Sequence, residues 1–143
     1  MSGILAIADD LAVDRLAIKA GLPKESPFSD VKEFCDESSL LKYIESLRDC
    51  KEELLPCLFV LDLNIGTPNS GHRALKKIKS ISNLSHIPIL IASVTNRKKT
   101  IRNLYSDGAN SFVSKGKTEE ISAKFAQVFS YWSNVVQMPC VKK

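Results

Sequence analysis

The chain has 143 residues, which suits one ordinary domain, and its 44% apolar and 25% charged residues are typical of a soluble globular protein. No apolar run approaches the roughly 18 residues that a membrane span needs, and no basic segment precedes a long apolar stretch at the N-terminus, so we expect no membrane association and a cytoplasmic location. The net charge of +4 is mild, and the main basic stretch has no interleaved aromatic residues, which argues against nucleic-acid binding.

Hydrophobic patterning alternates between strand and helix along the whole chain. Apolar runs predict five strands, over residues 3–8, 30–35, 57–61, 89–92 and 111–114. Apolar residues at helical spacing predict a helix after each strand, over residues 11–20, 37–47, 72–80, 99–105 and 119–135. In the first of these helices the helical spacing runs through Leu11, Asp14-Arg15 and Ile18.

Five strand–helix units in succession predict an α/β fold, a flavodoxin-like, doubly wound (βα)5 three-layer sandwich around a five-stranded parallel sheet. One domain over residues 1–136 accounts for all ten elements, and residues 137–143 are expected to form a frayed C-terminal tail. Because the chain ends soon after the last predicted helix, we expect no attached effector domain.

The four cysteines, Cys35, Cys50, Cys57 and Cys140, show no CxxC spacing and have no histidine nearby at metal-ligand spacing. Cys35 and Cys57 lie in or beside apolar runs, where a thiol behaves as a small buried hydrophobic group. We therefore predict reduced, structural cysteines, with neither a zinc site nor a redox role.

Polar side chains follow four of the predicted strands at the point where each strand ends. Asp9 and Asp10 follow the first strand, Asp62 the third, Ser93 the fourth and Lys115 the fifth. Because strand C-termini line one edge of an open parallel sheet, these side chains should converge there. Three crowded carboxylates require a counter-ion, and Mg²⁺ takes oxygen ligands from carboxylates, water and phosphate. The pattern predicts a Mg²⁺ site beside a nucleophilic aspartate, with Ser93 and Lys115 placed to stabilise a transferring phosphoryl group.

The chain resembles the receiver domain of two-component response regulators over residues 3 to about 135. Four stretches carry the resemblance: ILAIADD at 4–10, VLDLNI at 60–65, PILIAS at 88–93 and GANSFVSK at 108–115. The resemblance implies that Asp62 accepts a phosphoryl group from a histidine of a sensor histidine kinase or of a histidine phosphotransfer protein.

The resemblance also implies a role for each site residue. Mg²⁺ would be held by the carboxylates of Asp9, Asp10 and Asp62 and by the backbone carbonyl of Asn64. Lys115 would neutralise the phosphoryl oxygens, and Ser93 would move toward them while Phe112 turns inward as an aromatic switch. The sequence departs from the family pattern at Gly116, because family members generally have a proline after the lysine, preceded by a cis bond. Cis bonds are essentially confined to proline, so a trans or mobile loop is expected here.

Output would then come from docking to an unknown downstream protein, through the face formed by the fourth and fifth strands and their helices. Candidate docking residues on this face are Lys98, Arg102 and Tyr105. Their basic character favours an acidic partner. The aromatic end of the last helix, Phe129 to Trp132, leaves a homodimer open as an alternative to core packing.

Two other functions stay open from the sequence. One is a receiver-fold binding module that signals without phosphate, for which Gly116 and Val94 are the support. The other is a phosphatase of the haloacid-dehalogenase type, faintly echoed by DLNIGT at 62–67, although that family places its nucleophile on the first strand. We predict a response regulator that is not an enzyme, apart from its own phosphorylation and dephosphorylation at Asp62.

Overall fold

The computed structural model describes residues 3–140, and these contain all five predicted strand–helix units. The strands are β1 (Ile4–Ala8), β2 (Asp30–Phe34), β3 (Leu58–Asp62), β4 (Ile89–Ser93) and β5 (Ser111–Ser114). The helices are α1 (Ala12–Ala20), α2 (Glu37–Ser46), α3 (Ser70–Ser80), α4 (Lys98–Ser106) and α5 (Thr118–Ser130). All strands are parallel, in the order β2-β1-β3-β4-β5, which confirms the predicted fold.

The hydrophobic core has two halves, one on each face of the sheet. Along β3, Phe59 and Leu61 pack with apolar residues of α2, α3 and α4, whereas Leu58 and Val60 pack with those of α1 and α5. Burial on both faces is why this strand is a continuous apolar run rather than an alternating one. β2, at the edge of the sheet, is only partly buried.

The strand order places the polar strand ends together. β1 lies between β2 and β3, so the chain connections on either side of it lead in opposite directions, and such a switch point opens a crevice at the carboxyl edge. Parallel register aligns Asp62 with Ala92 and Ser93 with Ser114, which brings the ends of β3, β4 and β5 to the same level.

The helix boundaries lie within two residues of the predicted ones, except at the end of the last helix. The last helix, expected over 119–135, is α-helical from Thr118 to Ser130 and continues as a π-helical turn over Tyr131–Val135. A short 3₁₀ turn, Glu52–Leu54, precedes β3. None of the helices within residues 3–140 is long and apolar enough to cross a membrane.

The prediction of reduced cysteines is wrong for one pair. Cys57 and Cys140 form a disulfide with their Cα atoms 5.2 Å apart, while Cys35 and Cys50 are free thiols. The pair forms because the chain after α5 folds back onto the apolar cluster that contains Cys57, where Met138 is buried. The predicted tail is therefore packed rather than frayed as far as residue 140. Residues 141–143, and residues 1–2 of the predicted domain, lie outside the described part of the chain.

Candidate functional site

Three carboxylates meet at the carboxyl edge of β1 and β3. Asp9, Asp10 and Asp62 each offer an oxygen that lies within 4.8 Å of the oxygens of the other two. Asp9 is fully buried, Asp62 has 12% of its side chain exposed, and Asp10 is open to solvent. Grouped carboxylate oxygens of which one is solvent-facing fit a hard, partly hydrated cation such as Mg²⁺. The structure thus brings the three predicted carboxylate ligands together.

Lys115 lies in the centre of this cluster and is buried. Its Nζ is 2.5 Å from Asp9 Oδ2, 3.1 Å from Asp62 Oδ2 and 3.1 Å from Asp14 Oδ2. An ammonium group has three protons to donate, so these three acceptors use all of them. The backbone fixes the start of the side chain, because the Lys115 N–H donates to the Ser93 carbonyl at 2.9 Å.

Asp14 is a member of the site that the sequence prediction omits. Its side chain is 6% exposed, and while Oδ2 accepts from Lys115, Oδ1 accepts from the hydroxyl of Thr118 at 3.3 Å. One sequence signal could have identified it, since Asp14 shares the helical spacing of the buried Ile18 and so stands on the inward face of α1. An aspartate on such a face needs a partner inside the protein.

Electrostatics set the two central groups apart. Burial raises the pKa of Asp62 to about 6, and although the Lys115 ammonium opposes this effect, the Asp9 carboxylate adds to it. Burial acts to lower the pKa of Lys115, but its hydrogen bond to Asp9 and the charge of Asp62 outweigh burial and raise that pKa. Lys115 is therefore charged at neutral pH, whereas the ionised form of Asp62 needs additional positive charge nearby to be stable.

The predicted switch residues lie on neighbouring strands. Ser93 ends β4 and is buried, with its hydroxyl accepting from the Thr95 N–H at 3.2 Å. Phe112 of β5 is aligned with Ile91 of β4 and is half-buried against the core. Its backbone N–H donates to the Tyr105 hydroxyl at 2.9 Å, which ties β5 to α4.

The loop after β3 forms a wall beside the carboxylates. The Asn64 N–H donates to Asp62 Oδ1 at 3.3 Å, and its side-chain oxygen accepts from the Asn69 N–H at 2.8 Å. A cavity of about 320 Å³ opens here, lined by Asp10, Asn64, Gly66, Thr67 and Pro68. The backbone carbonyl of Asn64, a residue that lines this cavity, stays a predicted Mg²⁺ ligand.

The loop after Lys115 is built around glycine. Gly116 has a φ of 66°, in the left-handed region, and the described residues contain no cis peptide bond. A proline, with φ fixed near −65°, could not take this conformation. The loop is also held by the start of α5, because the Lys117 N–H donates to Oε1 of Glu120 in that helix at 2.8 Å.

The predicted docking residues line one side of α4. Lys98, Arg102 and Tyr105 are spaced one helical turn apart and all three are exposed. Within residues 3–140 neither Lys98 nor Arg102 forms an ion pair. Their positive charges are therefore uncompensated, and Tyr105 joins this side of the helix to the backbone of Phe112.

Comparison with known proteins agrees with this geometry. A family model described as the response regulator receiver domain matches residues 5–126. The probable methanogenesis regulatory protein FilR2 of Methanothrix harundinacea is 28% identical over an alignment 102 residues long, and the match covers 62% of this chain and 65% of that protein. The chain therefore spans less than two thirds of the length of this curated relative.

Solved structures show the same fold. The phosphorylated cyanobacterial phytochrome response regulator RcpA superposes with a TM-score of 0.84 at 20% identity, covering 97% of this chain and 99% of that one. The receiver domain of the sensor histidine kinase PA1611 from Pseudomonas aeruginosa, with a magnesium ion in its active-site cleft, gives a TM-score of 0.66 at 16% identity, covering 92% and 98%.

Proposed function

The chain belongs to the response regulator receiver domain family of two-component signalling, and on that premise we propose that it is a regulator phosphorylated on Asp62. The donor would be a sensor histidine kinase or a histidine phosphotransfer protein. The observation that carries the proposal is the meeting of Asp62 with two further carboxylates and the buried Lys115 at one sheet edge. The phosphatase alternative loses its support, because Asp62 ends the third strand of a receiver fold.

In the proposed step, an oxygen of the Asp62 carboxylate attacks the phosphorus of a phosphohistidine. An O–P bond forms, the P–N bond breaks, and its electron pair leaves with the histidine ring nitrogen. Lys115, 3.1 Å from Asp62 Oδ2, is placed to neutralise the phosphoryl oxygens. Mg²⁺ held by Asp9, Asp10 and Asp62 would supply positive charge that keeps Asp62 ionised and offsets the charge of the phosphoryl group. This self-modification is the only chemistry we assign to the protein.

Signalling would follow as a shift between two conformations. A dianionic group on Asp62 would attract the hydroxyl of Ser93, at the end of β4. Phe112, beside β4, is tied to α4 through the Tyr105 hydroxyl, so a movement of β4 reaches the helix that carries Lys98 and Arg102. We propose that this β4-α4-β5-α5 face binds a downstream protein of acidic character in the cytoplasm.

The test is phosphoryl uptake from acetyl phosphate with and without Mg²⁺, read by intact mass on the wild-type protein and on Asp62→Asn. We expect Mg²⁺-dependent incorporation of one phosphoryl group, absent from Asp62→Asn. Asp49→Asn is the matched control, because Asp49 is an exposed carboxylate with no ion pair within residues 3–140. A wild type that binds neither Mg²⁺ nor phosphate would instead support the phosphate-independent binding module.

A further inference from the structure

The three acceptors of the Lys115 ammonium are not equivalent. Asp9 and Asp62 belong to the group of carboxylates whose oxygens converge within 4.8 Å, and both are predicted Mg²⁺ ligands. Asp14 contacts the same ammonium at 3.1 Å but is not a member of that group. Within residues 3–140, Asp14 is therefore the one ion-pair partner of Lys115 that is not a predicted Mg²⁺ ligand.

Asp14 is itself held in place from two sides. Its side chain lies between α1, which carries it, and the first residue of α5, whose Thr118 hydroxyl donates to Oδ1 at 3.3 Å. Only 6% of the side chain is exposed, and a buried carboxylate is costly unless it is paired with a positive charge. Lys115 supplies that charge, so the two groups stabilise each other's ionised forms.

The backbone alone does not determine where the Lys115 ammonium lies. The residue after it is Gly116, in a left-handed conformation, and four rotatable side-chain bonds separate Nζ from the main chain. A long, flexible side chain of this kind needs a fixed acceptor to hold its head group. When Asp9 and Asp62 share their charge with a cation, their attraction for the ammonium weakens, while that of Asp14 does not.

We propose that Asp14 is a positioning residue that holds the Lys115 ammonium beside Asp62 while Asp9 and Asp62 bind the cation and receive the phosphoryl group. The proposal deepens the phosphorylation of Asp62 and rests on it. Asp14 does not touch the reacting atoms, so it acts only through Lys115.

The test is a double-mutant cycle between Asp14→Asn and Lys115→Ala, with phosphorylation by acetyl phosphate measured at saturating Mg²⁺. Asparagine keeps the size of the side chain and an acceptor for Thr118 but loses the charge. We expect Asp14→Asn to slow phosphorylation of the otherwise native protein by about 10- to 100-fold, the usual cost of removing a group that orients a site residue. In the Lys115→Ala background it should change the rate less than about twofold, because coupled residues are non-additive. Equal slowing in both backgrounds would overturn the proposal.

A second readout does not depend on phosphorylation. In the Mg²⁺-saturated protein, the Lys115 ammonium should give a protected Nζ–H signal by nitrogen-resolved NMR in the wild type and in Asp14→Glu, and lose it in Asp14→Asn. If the wild type takes up no phosphate, the proposed function fails, while the ammonium signal still decides the role of Asp14. A signal that is unchanged in a folded Asp14→Asn, as judged by circular dichroism, would show that Asp14 does not position Lys115.

Discussion

At Asp62 two effects act on one carboxylate in opposite directions. Burial and the neighbouring Asp9 raise its pKa, Lys115 lowers it, and the net result is a rise from 3.8 to about 6. The folded protein therefore binds this proton more tightly than the unfolded chain does. The stabilisation of the fold by this group is fully present below about pH 4 and is lost as the pH rises through about 6.

We therefore predict that Asp62→Asn, in a chelator that removes divalent cations, is more stable than the wild type at neutral pH. The expected gain in the free energy of unfolding is about 1–3 kcal/mol, and it should vanish near pH 4, where Asp62 is protonated in the wild type. Urea unfolding at several pH values measures it, with Asp49→Asn as the exposed control. A destabilised Asp62→Asn at neutral pH would mean that the ion pair with Lys115 outweighs burial.

The residues of the candidate site differ in how far the sequence could predict them. Asp9, Asp10, Asp62 and Lys115 could be predicted to converge because all four lie at the C-terminal ends of strands, and these ends share one edge of the sheet. Helical spacing places Asp14 on the inward face of α1, but its pairing with Lys115 could not be predicted, because the two residues are 101 positions apart in sequence. Its pairing depends on how α1 packs against the sheet, which local patterning does not encode.

At the scale of elements, the start of α3 is fixed by contact with β3. The sequence pattern predicts a helix from residue 72, yet α3 begins at Ser70 and includes Gly71. A Cβ at Gly71 would overlap the Asp62 carbonyl oxygen and lie 2.9 Å from the Leu63 Cα, while the Gly71 N–H donates to the Leu63 carbonyl at 2.8 Å. The boundary was missed because turn-forming residues predict a loop, whereas here the glycine permits close packing of helix on strand.

We predict that Gly71→Ala lowers the free energy of unfolding by about 1–3 kcal/mol, the usual cost of forcing a methyl group into a packed interior. The substitution should also slow phosphorylation of Asp62, because the new methyl group would displace the backbone carbonyl of Asp62 itself. Thermal and urea unfolding measure the first effect, and intact mass against time the second. Ser80→Ala, at the exposed end of the same helix, should change neither, and a Gly71→Ala protein of native stability would refute the close approach.

At the scale of the whole molecule, the disulfide joins two parts of the chain that are 83 positions apart. It ties the segment after α5 to Cys57, which directly precedes β3. Cys57 is therefore at the end of β3 opposite to Asp62 and the other carboxylates. Neither the spacing nor the surroundings of Cys57 in the sequence indicated it, because its partner reaches it only when the C-terminal segment folds back.

We predict that Cys140→Ser lowers the free energy of unfolding by about 2–4 kcal/mol, since the cross-link restricts the unfolded chain. A reductant should destabilise the wild type by a similar amount and leave Cys140→Ser unchanged. Cys35→Ser, which removes an exposed free thiol, is the control for general effects of cysteine replacement. A wild type equally stable with and without reductant would mean that the two thiols are unpaired in solution.

The candidate site draws its side chains from positions 9 to 115, at the C-terminal ends of β1, β3 and β5 and from α1. No single segment of the chain carries enough of it to receive a phosphoryl group. A nascent, cut or half-folded copy would have the aspartate but neither the amine nor the other carboxylates beside it. Under the proposed function such a copy could not be phosphorylated, so phosphorylation would be confined to molecules in which the whole sheet has formed.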